Sequence, residues 1–295
     1  MELPKLVFTD DFNGCRLSFN DKDDQTALVV TQKGQADRLK LADNKTEYVE
    51  QRARGAYIAS ICQPEASFDF SVAAQAVNPT DADFKQLNAR LQWQLDNQTR
   101  GLRYIPLDLT TAKLMVFADG SFANNKDLTS QIGFVICLVN EEVTPESFTI
   151  TGNLVHWQSS KCKRVTRSVL ASEIYGLVNG FDLGYVLAET LRTVMSRLAV
   201  PPIPLIICTD SYSLYDCLVK LGTTSEKRLM IDLMALRQSY ERREISEVRW
   251  INGEDNPADA MTKASANRAL EDLVSSNSLT VRLEAWVERK ATAAL

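Results

Sequence analysis

The stretch LIICTD, residues 205–210, constrains the fold more than any other. It is a short, continuous apolar run ending on an aspartate, and it follows a long helical pattern over 167–198 that PPIP interrupts. An uncharged run of this length suits a strand buried on both faces, which needs helices packed on either side of its sheet. That predicts an α/β layer fold.

The neighbouring segments supply the remaining layers. Residues 113–119, 131–140 and 148–158 are apolar and rich in β-formers. They read as three meandering strands before the long helix. After LIICTD, helical pattern returns at 211–221 and 226–243, EVRWING (247–253) reads as a last strand, and Pro257 opens a last helix. The expectation is a mixed five-stranded sheet with flanking helices, its first and fourth strands parallel neighbours joined by a crossover. Upstream, GCRLSFND and TALVVTQKG read as a small hairpin. YVEQRARGAYIASICQ, EASFDFSVAAQAV and PTDADFKQLNARLQWQLDN read as helices, the last with Phe84, Leu87, Leu91 and Leu95 on one face. This part is a smaller α+β domain, 1–108. The sheet domain is then 109–275, and 276–295 a C-terminal tail. Asp10-Asp11, in FTDDFNG, is read as a turn, because nine preceding residues cannot hold the fingers of a polymerase palm.

Composition narrows the chemistry. A single histidine, His156, makes a zinc site or a histidine-based nucleophilic triad improbable. Six cysteines are scattered without a C-x-x-C pair and suit buried thiols. No apolar run approaches a membrane span, and the start MELPKLVFTDD lacks the basic head and apolar stretch of a secretory leader. The net charge of −5 argues mildly against a free-standing nucleic-acid binder. Its distribution is uneven, however: no acid lies between Glu146 and Glu173, where SSKCKRVTR gathers Lys161, Lys163, Arg164 and Arg167.

What remains is carboxylate chemistry. Asp119 ends the first strand of the sheet domain and Asp210 ends LIICTD. Sites in open α/β sheets form outside the carboxyl ends of parallel strands, so the two should lie side by side. Glu173 borders the buried face of the long helix that Leu170, Ile174, Leu177 and Phe181 mark, and Asp259 opens the last helix. Four carboxylates converging without basic partners need cations. Mg²⁺ prefers oxygen ligands, and two ions about 3.5–4 Å apart can promote an in-line phosphoryl displacement. Gly120 would then let a substrate backbone approach, and Ser121, Asn125 and Ser211 could bond to sugar or phosphate.

The ordered segments ADGS with Asn125, SEIYGL, TDSYSLYD and NPADAMT resemble the four catalytic segments of ribonuclease H over about residues 113–275. The upstream half, from YVEQRARG to TRGLRY, together with the tail LTVRLEAWVER, is similar to the end of a copia-type LTR-retrotransposon Pol polyprotein of the fungal style. There this region joins reverse transcriptase to RNase H. The resemblance implies an RNase H-like sheet domain preceded by a connection-like domain. It also implies an endonuclease that cuts the RNA strand of RNA/DNA hybrids during reverse transcription, leaving 5′-phosphate and 3′-hydroxyl ends. Asp119, Glu173, Asp210 and Asp259 would be its catalytic carboxylates and would hold two Mg²⁺ ions, with Mn²⁺ as a substitute. Its partners would be the hybrid and the polymerase domain, and it would act inside the cell, in a cytoplasmic particle or the nucleus.

The 2′-hydroxyl lets a protein tell RNA from DNA. Ser121, Asn125, Ser211 and Asn256 are the expected sugar and phosphate contacts near the cut, and Lys161, Lys163, Arg164 and Arg167 the expected phosphate contacts beyond it. Three departures stand out: no histidine in the loop NGEDNPAD, no lysine-rich helix between 211 and 247, and Glu254 and Asp255 as rival acids. Asp259 is preferred as fourth ligand for its Asn-x-x-Asp spacing from Asn256. The competing expectation is a domesticated, non-catalytic module that binds nucleic acid or protein.

Overall fold

A computed structural model describes residues 9–20, 27–220, 224 and 226–288. The chain divides into two compact units, Met1–Pro106 and Leu107–Leu295. In the first, strands β1 (Thr9–Phe12), β2 (Cys15–Asn20), β3 (Ala27–Gln32) and β4 (Leu102–Tyr104) form an antiparallel sheet in that order. Asp10 and Asp11 lie in β1, not in a turn as expected. The reversal falls on Asn13-Gly14, both at positive φ (47° and 77°), a pair suited to a two-residue hairpin. Helices α1 (Lys45–Ile61), α2 (Ser67–Ala73) and α3 (Asp81–Asp96) bury Tyr48, Ile58, Phe70, Leu87 and Leu91 in one cluster. A capping box between Thr80 and Asp83 starts α3, satisfying donors that a helix start leaves open.

The second unit is a mixed α/β layer. Strands β5 (Lys113–Ser121), β6 (Gln131–Val143) and β7 (Ser147–Lys161) meander antiparallel. Helix α4 (Val169–Leu198) then crosses to β8 (Leu205–Thr209), which lies parallel to β5. Helices α5 (Tyr212–Val219) and α6 (Met230–Glu241) lead to β9 (Glu247–Ile251), parallel to β8. The five expected strands are present, but the sheet has six. Strand β10 (Ser278–Glu288), expected as tail, pairs with β7 through Ser278–Arg282 and with β9 through Leu283–Glu288, closing the sheet into a ring. A register shift between Leu283 and Ala285 lets one strand serve both edges.

Pro257 also departs from expectation. It starts a 3₁₀ segment, Pro257–Met261, and the last helix, α7, begins only at Ala269 and ends at Ser276. Leu114, Val116 and Ala118 of β5 enter the core shared with Ile174, Leu177 and Phe181 of α4. By strand alternation, Lys113, Met115, Phe117 and Asp119 face the other way.

The approach of α4 to β5 is set by glycines. A Cβ on Gly176 would lie 2.6 Å from the Asp119 carbonyl oxygen, and Cβ atoms on Gly180 and Gly184 would meet Val116 at 2.9 and 2.6 Å. A Cβ on Gly120 would meet the Ser172 backbone at 2.4 Å. Gly120 therefore admits a helix, rather than the substrate expected there. The missing side chains at Gly176, Gly180 and Gly184 let α4 settle this close to the strand, and at Gly120 and Gly176 backbone meets backbone.

Candidate metal centre

Asp119 stands near the end of β5, and Asp210 directly follows β8. Because β5 and β8 run parallel with Ala118 opposite Thr209, the two carboxylates emerge together. Glu173 lies in the first turns of α4, whose N-cap Ser168 accepts from the Ala171 amide. The close approach at Gly120 and Gly176 brings that turn against Asp119. Carboxylate oxygens of Asp119, Glu173 and Asp210 all lie within 4.8 Å of one another.

These acids are electrostatically mismatched. Burial, and then repulsion from Asp210, push the Asp119 carboxyl up to about 6. Burial with the charges of Asp119 and Asp210 holds Glu173 well above the usual carboxylate range. Burial also raises Asp210, although Asn256 and Lys263 pull it back. Glu173 Oε2 is buried and accepts no hydrogen bond. An oxygen withdrawn from water without a partner is costly. Three close carboxylates with a spare buried oxygen are the hard donor set that Mg²⁺ or Mn²⁺ takes. The residues therefore fit the expected ion.

The fourth expected ligand is placed differently. Asp259 is buried, but its Oδ1 pairs with the Lys263 ammonium and its Oδ2 accepts from the Asn267 amide at 2.8 Å. The expectation of a cluster without basic partners fails here: Lys263 Nζ also lies 3.7 Å from Asp119 Oδ2. Burial pulls the Lys263 ammonium down, but Asp119 and Asp259 outweigh it and raise it overall. Thr262 Oγ1 donates to the same Asp119 oxygen. The rival acids Glu254 and Asp255 are both paired with Arg282 of β10, at 2.8 Å each. Their charge is thus balanced outside the cluster.

The expected substrate contacts divide. Asn256 is fully buried, with Nδ2 donating to the Ala118 carbonyl at 3.1 Å and Oδ1 accepting from the Ala258 amide at 3.1 Å. It ties the Asp259 segment to β5 and cannot reach a sugar or phosphate. Asn125 is also buried and bonds to Thr129 and Gln131 at 3.2 Å each, an internal role in place of the expected substrate contact. Ser211 caps α5 by accepting from the Leu214 amide at 3.3 Å, and Ser121 is half-buried at the end of β5. Lys161 pairs with Asp127, and Arg164 with Asp232 at 3.0 Å while lying 5.0 Å over the Tyr175 ring. Lys163 and Arg167 are both exposed. Lys161, Lys163 and Arg164 line a cavity of about 500 Å³ together with Asp127 and Thr129. The Lys161–Asp127 pair is exposed on both sides and costs little to exchange for a phosphate.

Sequence reasoning missed Lys263, Thr262 and Arg282. Lys263 stands four residues after Asp259, a readable spacing that pairs charges on helical turns. Nothing local signals the reach of Lys263 and Thr262 to Asp119.

No family model matches the chain, and no curated protein does. Among solved structures, it is similar to RNase H1 from the halophilic archaeon Halobacterium salinarum NRC-1. The identity is 16%, over 54% of this chain and 98% of that one, with a TM-score of 0.35. It is similar to LC11-RNase H1, isolated from compost, at 17% identity over 54% and 98%, TM-score 0.37. The prototype foamy virus RNase H domain matches at 13% identity over 57% and 94%, TM-score 0.31. In each case the likeness spans a little over half of this chain and nearly all of the other.

Proposed function

We propose that the second unit is a metal-dependent endonuclease that hydrolyses the RNA strand of RNA/DNA hybrids, as part of retrotransposon reverse transcription inside the cell. The observation that carries this reading is the cluster of Asp119, Glu173 and Asp210 at the carboxyl ends of parallel strands, with Glu173 Oε2 left unbonded. These three residues would hold the first ion, and Asp259 would join them for a second. The ions, when bound, would activate the attacking water and stabilise the leaving oxygen. The protein's part is to hold the carboxylates within reach of one phosphate. Thr262 fixes the orientation of Asp119, Asn256 fixes the segment carrying Asp259, and the backbone approach of α4 fixes Glu173. Lys161, Lys163 and Arg164 would take a phosphate further along the duplex. The choice of hybrid over other nucleic acids rests on the ordered motif set in the sequence.

Lys263 favours a second reading. An ammonium already paired with Asp119 and Asp259 could balance a site that no longer binds metal, leaving a non-catalytic interaction module. One assay separates the two. The full chain, with a polymerase domain supplied, is incubated with a hybrid labelled in its RNA strand, in Mg²⁺ and in Mn²⁺. Cleavage with 5′-phosphate products, absent on all-DNA duplex, is expected. Intact RNA under both ions would leave the interaction module.

A further inference from the structure

Among the described residues, Lys263 is the one cation bonded to the carboxylate cluster, and its geometry is that of a placeholder. Both oxygens of Asp259 are engaged, one by Lys263 and the other by the Asn267 amide. Asp119 Oδ2 is engaged by Thr262 and faces Lys263. Glu173 Oε2, in contrast, is engaged by nothing. The cluster thus has two sides: one open on Glu173 and Asp210, and one between Asp119 and Asp259 that the ammonium fills.

We propose that Lys263 is a positioning residue that competes with divalent metal. It holds the Asp119–Asp259 side together before metal arrives and must swing off Asp119 for an ion to bind there. This inference rests on the metal-dependent reading above. Two features make the swing feasible. The Lys263 side chain is 42% exposed while the acids it touches are nearly buried, so it reaches in from the rim. A lysine also offers a single point charge on a flexible stem, without the rigid fork that would lock an arginine to a carboxylate. An ammonium and a divalent ion cannot share the same few ångströms, because their mutual repulsion acts where water is scarce. The lysine therefore sets the metal concentration at which that side fills.

Calorimetric titration of the full chain with Mn²⁺, and with Mg²⁺, measures this directly without an activity readout. Lys263→Met, which keeps the apolar stem, should bind Mn²⁺ about tenfold more tightly or with an extra equivalent, the order expected from removing one partly screened charge at close range. Its metal-free form should melt lower than wild type. Lys263→Arg should bind metal no more tightly than wild type. Near-ultraviolet circular dichroism confirms the fold; if Lys263→Met fails that check, Lys263→Gln, neutral but still a donor to Asp259, takes its place. Equal affinity and stoichiometry in wild type and the neutral variant would overturn the competition, as would weaker binding in the variant. Absence of metal binding in both proteins would overturn the metal-dependent reading itself, and the inference with it.

Discussion

Strand β5 carries charge at both ends of one face, and the two ends are built on opposite terms. At its start, Lys113 joins Glu141, Glu247 and Arg249. Arg249 is fully buried, bonds to Glu141 at 2.8 and 3.1 Å and to Glu247 at 2.9 and 2.6 Å, and lies 4.5 Å over the Phe148 ring. Two bases face two acids. Burial pushes Glu141 up, but the bonds from Arg249 outweigh it and hold the carboxyl below the usual range. Six residues on, about 20 Å by the rise of a strand, Asp119 meets Glu173 and Asp210, and all three acids are pushed up. Burial is similar at both ends, so burial does not separate them. The balance of charge does. A matched buried cluster is balanced within the fold, whereas a mismatched one carries a repulsion that an added cation would offset.

The sharpest way to break this comparison is to remove one charge from each end. Asp119→Asn keeps size and a hydrogen-bonding oxygen, and it relieves repulsion, so the metal-free protein should melt no lower than wild type. Hybrid cleavage should fall by orders of magnitude, since metal and electrostatic effects supply several kcal/mol and each ~1.4 kcal/mol is worth tenfold. Arg249→Met should do the reverse. It strands two buried carboxylates, and chemical denaturation should register a loss of about 3–5 kcal/mol. A stable Arg249→Met, or an unstable Asp119→Asn, would erase the distinction.

The next effect sharpens the comparison through pH. The folded Asp119 carboxyl titrates near 6, against an unfolded value near 3.8. The folded state then holds more protons between those values, so stability is fully present below about 3.8 and falls as pH rises through 6. Melting of the metal-free protein should show this loss, and a saturating divalent ion should offset it, by about 2.7 kcal/mol at a hundredfold excess over Kd. The metal-induced shift should therefore grow from pH 5 to pH 8. A shift independent of pH would mean that the ion binds elsewhere. The smallest effect concerns the basic segment. Changing Lys161, Lys163 and Arg164 to alanine should lower the salt slope of hybrid binding, by about 0.7–0.9 for each phosphate that is no longer neutralised. An unchanged slope would return those residues to ordinary surface pairing.

Much of the site is legible in the sequence because strand ends announce themselves. Asp119 and Asp210 close apolar runs, and the helix between them implies parallel pairing, which then puts both carboxylates at one edge. Glu173 follows from its place beside the buried face of α4. The sequence also carries two signals that composition and motif reading overlook. SLTVRLEAWVE alternates Leu279, Val281 and Leu283 with polar residues, a strand pattern hidden by its position late in the chain. Gly176, Gly180 and Gly184 repeat every four residues and mark the helix side that lies against β5. What no local pattern reveals is pairing across the fold. Thr262 meets Asp119 over 143 positions of chain, Arg282 meets Asp255, and Asn256 spends its amide on Ala118. Such pairings depend on how the segment after β9 lands on β5, and composition and periodicity carry no record of that.

The sixth strand has a consequence for the order in which the unit can be made. Strand β7 is complete long before β10 and β9 shortly before it, and each leaves a row of backbone donors and acceptors with no neighbour until β10 arrives. A chain elongating from its N-terminus therefore presents two unpaired sheet edges at once until β10 is made, and a single segment must seal both. The pairing is also distant along the chain, which slows closure relative to the local hairpins. Nascent or truncated chains that stop short of β10 thus form the class in which edge-to-edge association between molecules competes with folding.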